Sequence, residues 1–564
     1  MAVELSDRRM ESRRFRRLLL AGLLLLGLGL RLGTVGWGIG LREFEGYYHP
    51  DESKVWRSTL DFPDNYLTNK NYLYGTALQY SVGFALYPVK KLWRTGRLRI
   101  ADLEYRQVVI LALRAVNVIL GALTVLLIYR LGDRLYDRET GLIAAGLLCL
   151  SLYHVTNSGF ATLDVTMSFL VTLTILLTAR AFETGRVVDF VLLGLTAGFL
   201  AGTKISAILI LVIPLALLAA RVAAPSRQVT PDEGGSQPPG PAPWTRDLLV
   251  GLLASGVVAT LVFVISTPHV LTRMPAYLQF MLDQRTMWLE RVDHGVWEIL
   301  ADWTSEPAIA MTPVVAALAG LGLLLGRIGV RREARALEYA LLAFLLVNVL
   351  FWRAYVRPRF LIPIVPILCL YAARPPRLLM NRPGISLRVA GGVVAILALA
   401  FSFFAAVAGA SYRRETDTRT EAAAYIAAQV PAGATLAPAS TTASNPWTRH
   451  RWRYPVLDAD RYAITPLLEN PDYVVTTDYA LRQMERALSS GHLDAGYSWP
   501  VERANRWYRY KVPEPEDFRF YDSLLREETY RLEKRWFNPP SVPVEFPAPE
   551  IRLYRRLARQ TGDP

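Results

Sequence analysis

Cysteine is nearly absent from this sequence of 564 residues, which contains only Cys149 and Cys369. Both lie in apolar runs, and no CxxC pair or zinc-ligand spacing is present, so we expect neither a disulfide framework nor a structural zinc site. The sequence also lacks internal repeats and recognisable nucleic-acid-binding modules. Its net charge of +14, from 63 basic and 49 acidic residues, therefore predicts no nucleic-acid partner.

A signal-peptide cleavage site is missing as well. Six arginines precede Leu18, and the apolar run that follows is long and is not closed by a small-x-small pattern. We therefore expect an uncleaved first membrane span with the N-terminus in the cytoplasm.

Long apolar runs are what the sequence has in abundance, since 52% of its residues are apolar and 20% are charged. A span needs about 20 apolar residues, because a helix rises about 1.5 Å per residue and the hydrocarbon core is about 30 Å thick. On this basis we predict a mainly α, polytopic protein of the inner or plasma membrane. The expected spans, about eleven by the same length rule, cover 18–37, 108–129, 141–159, 163–182, 188–202, 204–222, 248–266, 307–326, 337–353, 359–373 and 386–410.

Arginine-rich loops support this topology. With an odd number of spans, the loops "YRLGDRLYDRE", "ARAFETGR", "GRIGVRREAR" and "RPPRLLMNRPG" all fall on the cytoplasmic side, where Lys and Arg accumulate. The Pro/Gly-rich loop 223–247 is expected on the same side as a flexible linker. The first long loop, 38–107, and everything after 410 are then extracytoplasmic.

The tail has the pattern of a water-soluble domain. We expect helices at "TEAAAYIAAQV" and "FRFYDSLLREETY", and strands within "PDYVVTTDYA" and at "EIRLYRR". The predicted organisation is a transmembrane domain at 1–410 and a small extracytoplasmic α/β domain at 411–564.

Ionisable residues from distant parts of the sequence meet at the extracytoplasmic ends of the predicted spans. Charges at membrane depth are costly, so they usually pair or serve a site. Individually, Asp164 could complement a helix dipole, Arg357 and Arg359 could anchor to headgroups, and Lys204 could snorkel to the interface. His269 suits a polar loop. The acids of "HPDE", Asp51 and Glu52, have little structural use directly after a span, and we predict a functional role for them.

Five segments, in order, resemble the GT-C superfamily of membrane glycosyltransferases, and specifically glycosyltransferase family 39. That family includes protein mannosyltransferases and the aminoarabinose transferase ArnT. The segments are "HPDE", "TLDVTMSFLVTLTILL", "GLTAGFLAGTKISAILIL", "STPHVLTRMPAYLQFML" and "RPRFLIPIVPILCLYAA".

The resemblance implies inverting transfer of a sugar from a polyprenyl-phosphate carrier to a hydroxyl acceptor on the extracytoplasmic face. Asp51, with Glu52 beside it, corresponds to the family's first-loop acid, and Asp164 to a second acid. The family's phosphate-binding cation corresponds to Arg359 or Arg357. Further cationic candidates for the carrier phosphate are Lys204, Lys70 and Arg114.

Aromatic and polar residues of the first loop are candidates for sugar or acceptor contact, namely Tyr48, His49 and Tyr72. We expect no required cofactor. Some relatives bind a metal near the position of His269, but no metal is predicted here. A carboxylate that takes the proton of the acceptor and arginines that hold the leaving phosphate would suffice for the chemistry.

Two other classes of function remain open from the sequence. One is a transporter or flippase of lipid-linked glycans, although such proteins often show internal repeats and polar residues at mid-membrane. The other is a non-catalytic membrane scaffold that presents the C-terminal domain. Within enzymes, a ligase of oligosaccharide blocks is a further alternative. The identity of the sugar, and whether the acceptor is a protein, lipid or envelope glycan, are open.

Overall fold

The protein is described here from a computed structural model. It describes residues 2–39, 49, 51–72, 74–101, 103–204, 244–291, 296–325, 338, 358–431, 433–438, 471–477, 523–524, 526–544 and 550–557. By the contacts among its residues, the chain divides into two compact units. The first contains 1–36, 51–413 and 542–545, and the second contains 37–50, 414–541 and 546–564.

The regular elements of the first unit are helices, within its described residues. Its helices are α1 (Ala2–Leu32), α2 (Glu52–Leu60), α3 (Ala77–Arg94), α4 (Tyr105–Leu135), α5 (Arg138–Cys149), α6 (Leu152–Asn157), α7 (Asp164–Thr184), α8 (Val187–Ala201), α9 (Trp244–Ser266), α10 (Pro268–Thr272), α11 (Met274–Arg291), α12 (Val296–Met311), α13 (Pro313–Leu324), a 3-10 helix (Pro358–Leu361), α14 (Val365–Ala372), α15 (Arg374–Met380) and α16 (Ile385–Tyr412).

Four helices within the described residues are long and apolar enough to cross a membrane: α4, α7, α9 and α16. They coincide with expected spans at 108–129, 163–182, 248–266 and 386–410, and they support a membrane location. The expected span at 204–222 lies outside the described residues apart from Lys204, as does that at 337–353 apart from residue 338. The total number of spans therefore stays a prediction.

The expected span at 141–159 is divided between α5 and α6. The fully buried Arg31 of α1 lies at this break, and its guanidinium donates to the carbonyl oxygens of Leu148 and Cys149, each at 3.3 Å. It also contacts Nδ1 of His154 at 3.0 Å. Helix ends leave carbonyls without partners, and inside apolar surroundings these must be satisfied. Arg31 therefore makes the break tolerable, which a hydropathy pattern does not reveal.

Small residues bring α8 and α9 into close contact. A Cβ atom on Gly194 would lie 2.5 Å from the carbonyl oxygen of Ser255, and one on Gly198 would lie 2.4 Å from that of Ala259. This is the close backbone approach that glycines spaced by four residues permit between membrane helices. The packing fixes the end of α8, from which Lys204 projects.

Replacing Gly198 with Ala is expected to destabilise the protein by about 1–3 kcal/mol, because the new methyl group overlaps the Ala259 carbonyl. The measurement is the thermal unfolding midpoint in detergent. Gly256→Ala is the matched control, since a Cβ there meets nothing within 4 Å. Equal midpoints for the two variants would contradict the packing described for α8 and α9.

The second unit contains a helix and a four-stranded sheet. Helix α17 (Thr418–Gln429) precedes strands β1 (Leu436–Pro438), β2 (Tyr473–Thr477), β3 (Tyr530–Trp536) and β4 (Ile551–Arg556). The strand order is β1-β2-β4-β3, with β1 and β2 parallel and the other neighbours antiparallel. Apolar residues of α17 pack on the sheet, for example Ile426 on a core that includes Val475 and Leu553.

The helix and both strands expected in the tail are present as α17, β2 and β4. Strand β3 was not predicted, because its sequence "YRLEKRW" is dominated by charged residues. Of the expected helix "FRFYDSLLREETY", residues 518–522 and 525 lie outside the described residues. Residues 523–524 are helical, but 526–529 form a turn that leads into β3 at Tyr530, so the helix does not extend to the end of this segment as expected. The domain boundary at 410/411 remains a prediction.

Candidate active site

Asp51 directly precedes α2 and forms an ion pair with Arg359 of the 3-10 helix. The distance from Nη1 of Arg359 to Oδ2 of Asp51 is 2.7 Å. Lys54, one turn further along α2, places Nζ 3.8 Å from the other carboxylate oxygen. The structure therefore brings together the first-loop acid and an arginine that lies 308 positions away in the sequence.

Asp164 and Lys204 form a second ion pair, with Nζ of Lys204 3.0 Å from Oδ1 of Asp164. Asp164 is the first residue of α7, and Lys204 lies just beyond the end of α8. The four side chains of the two pairs are only 7% to 15% exposed, so water screens them far less than surface charges.

Tyr74 contacts members of both pairs. Its backbone forms an antiparallel bridge with Lys204, and its ring is 5.5 Å from Nζ of Lys54 and 5.6 Å from Nζ of Lys204. Its hydroxyl hydrogen-bonds to the side chain of Asp51. Burial, and then the negative charge of Asp51, raise the pKa of Tyr74 well above its usual value, so the hydroxyl keeps its proton and acts as a donor.

The chain path around Tyr74 is set by backbone contact. A Cβ on Gly75 would lie 2.0 Å from the carbonyl oxygen of Gly202, and that oxygen accepts a hydrogen bond from the amide of Ala77 at 3.0 Å. The Thr76 hydroxyl donates to the carbonyl of Ser266 at 2.7 Å. Only glycine permits this approach, and it fixes the first loop against the ends of α8 and α9.

The cluster has an excess of positive charge. Lys54, Lys204 and Arg359 contribute three cations against the two carboxylates, which leaves +1 when all five are ionised. Phe360 packs beneath two of the cations, with its ring 5.8 Å from Nζ of Lys204 and 5.2 Å from Cζ of Arg359. A partly buried site of this composition favours an anionic ligand such as a phosphate.

Glu52 and Arg114 face away from this cluster and bind each other. Nε and Nη2 of Arg114 each lie 2.9 Å from a different oxygen of Glu52, and both side chains are fully buried. Arg114 also donates to the carbonyl of Val35 at 2.7 Å, and Glu52 accepts from the amide of Ala161 at 2.6 Å. The pair thus links α2 and α4 with the chain before α2 and the turn that precedes α7.

Asn117, one turn beyond Arg114 on α4, holds the turn that leads to Asp164. Its amide nitrogen donates to the carbonyls of Phe160 and Thr162, both at 2.7 Å, and its oxygen accepts from the Thr166 hydroxyl at 2.6 Å. The carboxylate of Asp164 is therefore placed by a polar residue in the middle of an apolar helix.

Tyr72 belongs to an aromatic group that includes His269. The two rings stack with centroids 6.1 Å apart. The ring centroids of Tyr277 and Phe280 lie 6.0 Å and 5.8 Å from that of Tyr72. His269 is buried, and neither ring nitrogen has a hydrogen-bond partner among the residues that the structure describes. Burial, and then the charge of Arg273, lower the pKa of His269 to about 4, so its ring is neutral at ordinary pH.

In the described part of the chain, the side chains around His269 do not make up a set of metal ligands. Among the residues that the structure describes, no three His, Cys, Asp or Glu side chains gather as a candidate ligand set. No step of the chemistry is therefore assigned to a metal at His269, and the prediction that the protein needs no metal stays a prediction.

The remaining predicted site residues are Lys70, His49, Arg357 and Tyr48. Lys70 is exposed and makes no side-chain hydrogen bond or ion pair within the described residues. His49 is buried and belongs by its contacts to the second unit. Arg357 and Tyr48 lie outside the described residues.

Two residues of this region were not assigned a role from the sequence. Lys54 lies one turn from Asp51, and an i,i+3 cation beside a suspected acid is a detectable signal. Asn117 is a polar residue in the centre of an apolar run, which is also a signal. For Tyr74 the sequence indicates only what it indicates for any aromatic residue of the first loop, namely stacking on a sugar or a place at the membrane interface. Only the folded chain shows that Tyr74 contacts both ion pairs.

Comparison with known proteins finds a family model and solved structures to which this chain is similar. Residues 104–230 match the family model described as dolichyl-phosphate-mannose-protein mannosyltransferase. A sequence comparison with curated proteins finds no match. The oligosaccharyltransferase of Archaeoglobus fulgidus, solved in complex with Zn and sulfate, is similar over 95% of this chain and 88% of its own. Its sequence identity is 12% and the TM-score is 0.51.

Two further structures are similar at lower scores. The oligosaccharyltransferase AglB from Archaeoglobus fulgidus, in complex with an inhibitory peptide and a dolichol-phosphate, has 14% identity and a TM-score of 0.49 over 83% of this chain and 71% of its own. ArnT from Cupriavidus metallidurans, bound to undecaprenyl phosphate, has 12% identity and a TM-score of 0.48 over 97% and 99%.

The resemblance that the sequence predicted is confirmed. Residues 104–230 match the mannosyltransferase family model, and the chain is similar in fold to the oligosaccharyltransferase of Archaeoglobus fulgidus. The family match supports glycosyl transfer as the general class of reaction.

Proposed function

We propose that this protein is an inverting glycosyltransferase that moves a sugar from a polyprenyl-phosphate carrier to a hydroxyl acceptor at the extracytoplasmic membrane face. The observation that carries the proposal is the cluster of two partly buried ion pairs, Asp51–Arg359 and Asp164–Lys204, joined by Tyr74. It holds a base for an alcohol and cations for a phosphate within one small region.

Asp51 is the proposed general base. A hydroxyl is a poor nucleophile at neutral pH, and a carboxylate within hydrogen-bond reach can take its proton as attack proceeds. The hydroxyl oxygen then forms a bond to the anomeric carbon while the bond from that carbon to the carrier phosphate oxygen breaks. The electron pair of the broken bond stays on the phosphate, and the proton ends on Asp51.

Arg359, Lys204 and Lys54 are the proposed binding groups for the carrier phosphate. The phosphate gains negative charge as it leaves, so fixed cations stabilise the transition state more than the ground state. Arg359 suits a phosphate because its planar guanidinium donates two parallel hydrogen bonds. Asp164 orients Lys204, which it contacts at 3.0 Å.

Glu52 and Arg114 receive a different role from that expected of them. Each satisfies the other's charge in a fully buried bidentate pair, so neither offers a free charge to a substrate. We propose that the pair is a scaffold that places Asp51 by fixing the start of α2.

The membrane location follows from the carrier. An isoprenoid tail stays in lipid while its phosphate and sugar meet a water-borne acceptor, and a site at the ends of apolar helices satisfies both needs. We propose the orientation of the sequence prediction, with the N-terminus cytoplasmic and the second unit extracytoplasmic.

The test uses the purified full chain in detergent with a panel of polyprenyl-phosphate sugars and hydroxyl acceptors. The expected result is release of the free polyprenyl phosphate together with formation of a glycosylated acceptor. Binding of the carrier without release for any donor in the panel would contradict the enzymatic function. Movement of the intact lipid-linked sugar across a vesicle membrane would instead favour a transporter.

Arg359→Ala is expected to raise the KM for the donor about 10- to 100-fold, because a charge-assisted hydrogen bond to phosphate is worth about 1.5–3 kcal/mol. Initial rates at varied donor concentration measure this. The control is Arg94→Ala, whose side chain is 67% exposed and lies 3.8 Å from Asp64. An unchanged KM in the Arg359 variant, with a raised KM in Lys70→Ala, would move the phosphate site to Lys70.

A further inference from the structure

Tyr74 interacts with each of the five charged side chains of the cluster, either by direct contact or through the electric field of the charge. Its hydroxyl bonds to Asp51, its ring faces the ammonium groups of Lys54 and Lys204, and the charges of Asp164 and Arg359 act on its hydroxyl. Only 5% of Tyr74 is exposed, so these interactions take place with little water between them.

The proposed function makes two demands on Arg359. Its Nη1 atom is 2.7 Å from Oδ2 of Asp51, and the same guanidinium is the proposed partner of the carrier phosphate. When the phosphate draws hydrogen bonds from Arg359, the contact with Asp51 weakens. A general base has to stay in position during this exchange, because misplacement of a reacting group by about 1 Å can cost about 100-fold in rate.

We propose that Tyr74 is a positioning residue, whose hydroxyl keeps the Asp51 carboxylate aimed at the acceptor while Arg359 turns to the carrier phosphate. This inference rests on the proposed function and adds a residue to it. Tyr74 suits the task because a neutral phenol donor competes less for a phosphate than an ammonium or guanidinium group does.

The backbone of Tyr74 is rigid enough for the task. Its bridge to Lys204 and the contact between Gly75 and Gly202 tie this residue to the end of α8. Both ammonium groups lie within 5.6 Å of the ring centroid, and the cation–π attraction restrains rotation of the ring. The hydroxyl therefore stays at one place when the arginine moves.

Tyr74→Phe tests the proposal, because it removes the hydroxyl and keeps the ring. The kcat for sugar transfer is expected to fall about 10- to 100-fold, the loss that follows from removing a hydrogen bond to a charged group, with the donor KM within about twofold of the wild type. Lys54 and Lys204 keep their ring contacts, so donor binding is retained.

Tyr80→Phe is the matched control. Tyr80 is also 5% exposed, and its hydroxyl donates to the carbonyl of Asn65 at 3.0 Å, away from the cluster. This variant is expected to lower the unfolding midpoint and to leave kcat unchanged. A second variant, Tyr74→Leu, removes the ring as well and is expected to raise the donor KM in addition to lowering kcat.

The outcomes separate the inference from the proposed function. A wild-type protein that transfers no sugar overturns both. A wild-type protein that transfers sugar, an inactive Asp51→Asn and a fully active Tyr74→Phe overturn the role of Tyr74 alone. Equal falls in kcat for Tyr74→Phe and Tyr80→Phe would also overturn it, since a general loss of stability would then explain both. Donor binding by each variant shows that it is folded.

Discussion

Asp51→Asn is expected to lower the turnover of sugar transfer about 10²- to 10⁴-fold, the range that a positioned general base contributes. The amide has nearly the same shape as the carboxylate and still accepts a hydrogen bond from Arg359, but it cannot take the proton of an alcohol. Binding of the carrier is therefore expected to persist. Release of free polyprenyl phosphate measures turnover, and a titration with the carrier measures its binding.

The control for Asp51→Asn is Asp64→Asn in the same loop. Asp64 is 71% exposed and lies 3.9 Å from Lys90 and 3.8 Å from Arg94, remote from the cluster in its contacts. Near-normal turnover in Asp51→Asn would end its assignment as the base. A large loss in Asp164→Asn in the same series would then assign the role to the acid of the second pair.

Arg114→Leu is expected to destabilise the protein by about 3–5 kcal/mol, which is the cost of removing one partner of a buried ion pair. Glu52 would be left as a buried carboxylate. Of the contacts described for it above, only the one with the amide of Ala161, at 2.6 Å, would remain. The unfolding midpoint in detergent, together with the yield of folded protein, measures the loss.

Two further variants make this second prediction specific. Arg138→Ala breaks an ion pair with Asp133 whose members are 49% and 40% exposed, and we expect a change of no more than about 1 kcal/mol. The double replacement of Glu52 and Arg114 by Leu is expected to cost less than Arg114→Leu alone, because no unpaired charge remains. A stable Arg114→Leu variant with impaired donor binding would restore Arg114 to the phosphate site.

The elements that the sequence predicted well are those whose signal is local. The long apolar runs at 108–129 and 386–410 correspond to α4 and α16, since about 20 apolar residues can be buried in lipid in few other ways. The break between α5 and α6 was not predicted, because the hydrogen bonds that satisfy it come from Arg31, which lies 117 and 118 positions earlier in the sequence than the two carbonyls.

The candidate site was predicted as a set of residues and not as an arrangement. Asp51, Asp164, Lys204 and Arg359 could be selected because charges at membrane depth are costly. Glu52 could not be separated from Asp51, since adjacent acids look alike in a sequence. In the structure the start of α2 points one carboxylate at Arg359 and the other at Arg114, so neighbours in sequence meet different partners.

By itself the sequence determined that this chain has several apolar spans, a polar tail and a set of ionisable residues at the span ends, because hydrophobicity and helix length are properties of short segments. Only the tertiary structure decided which acid pairs with which cation, that Tyr74 joins the two pairs, and that Glu52 and Arg114 neutralise each other. Those relations depend on distances between segments up to 308 positions apart, and a distance in space is set by packing of the whole unit.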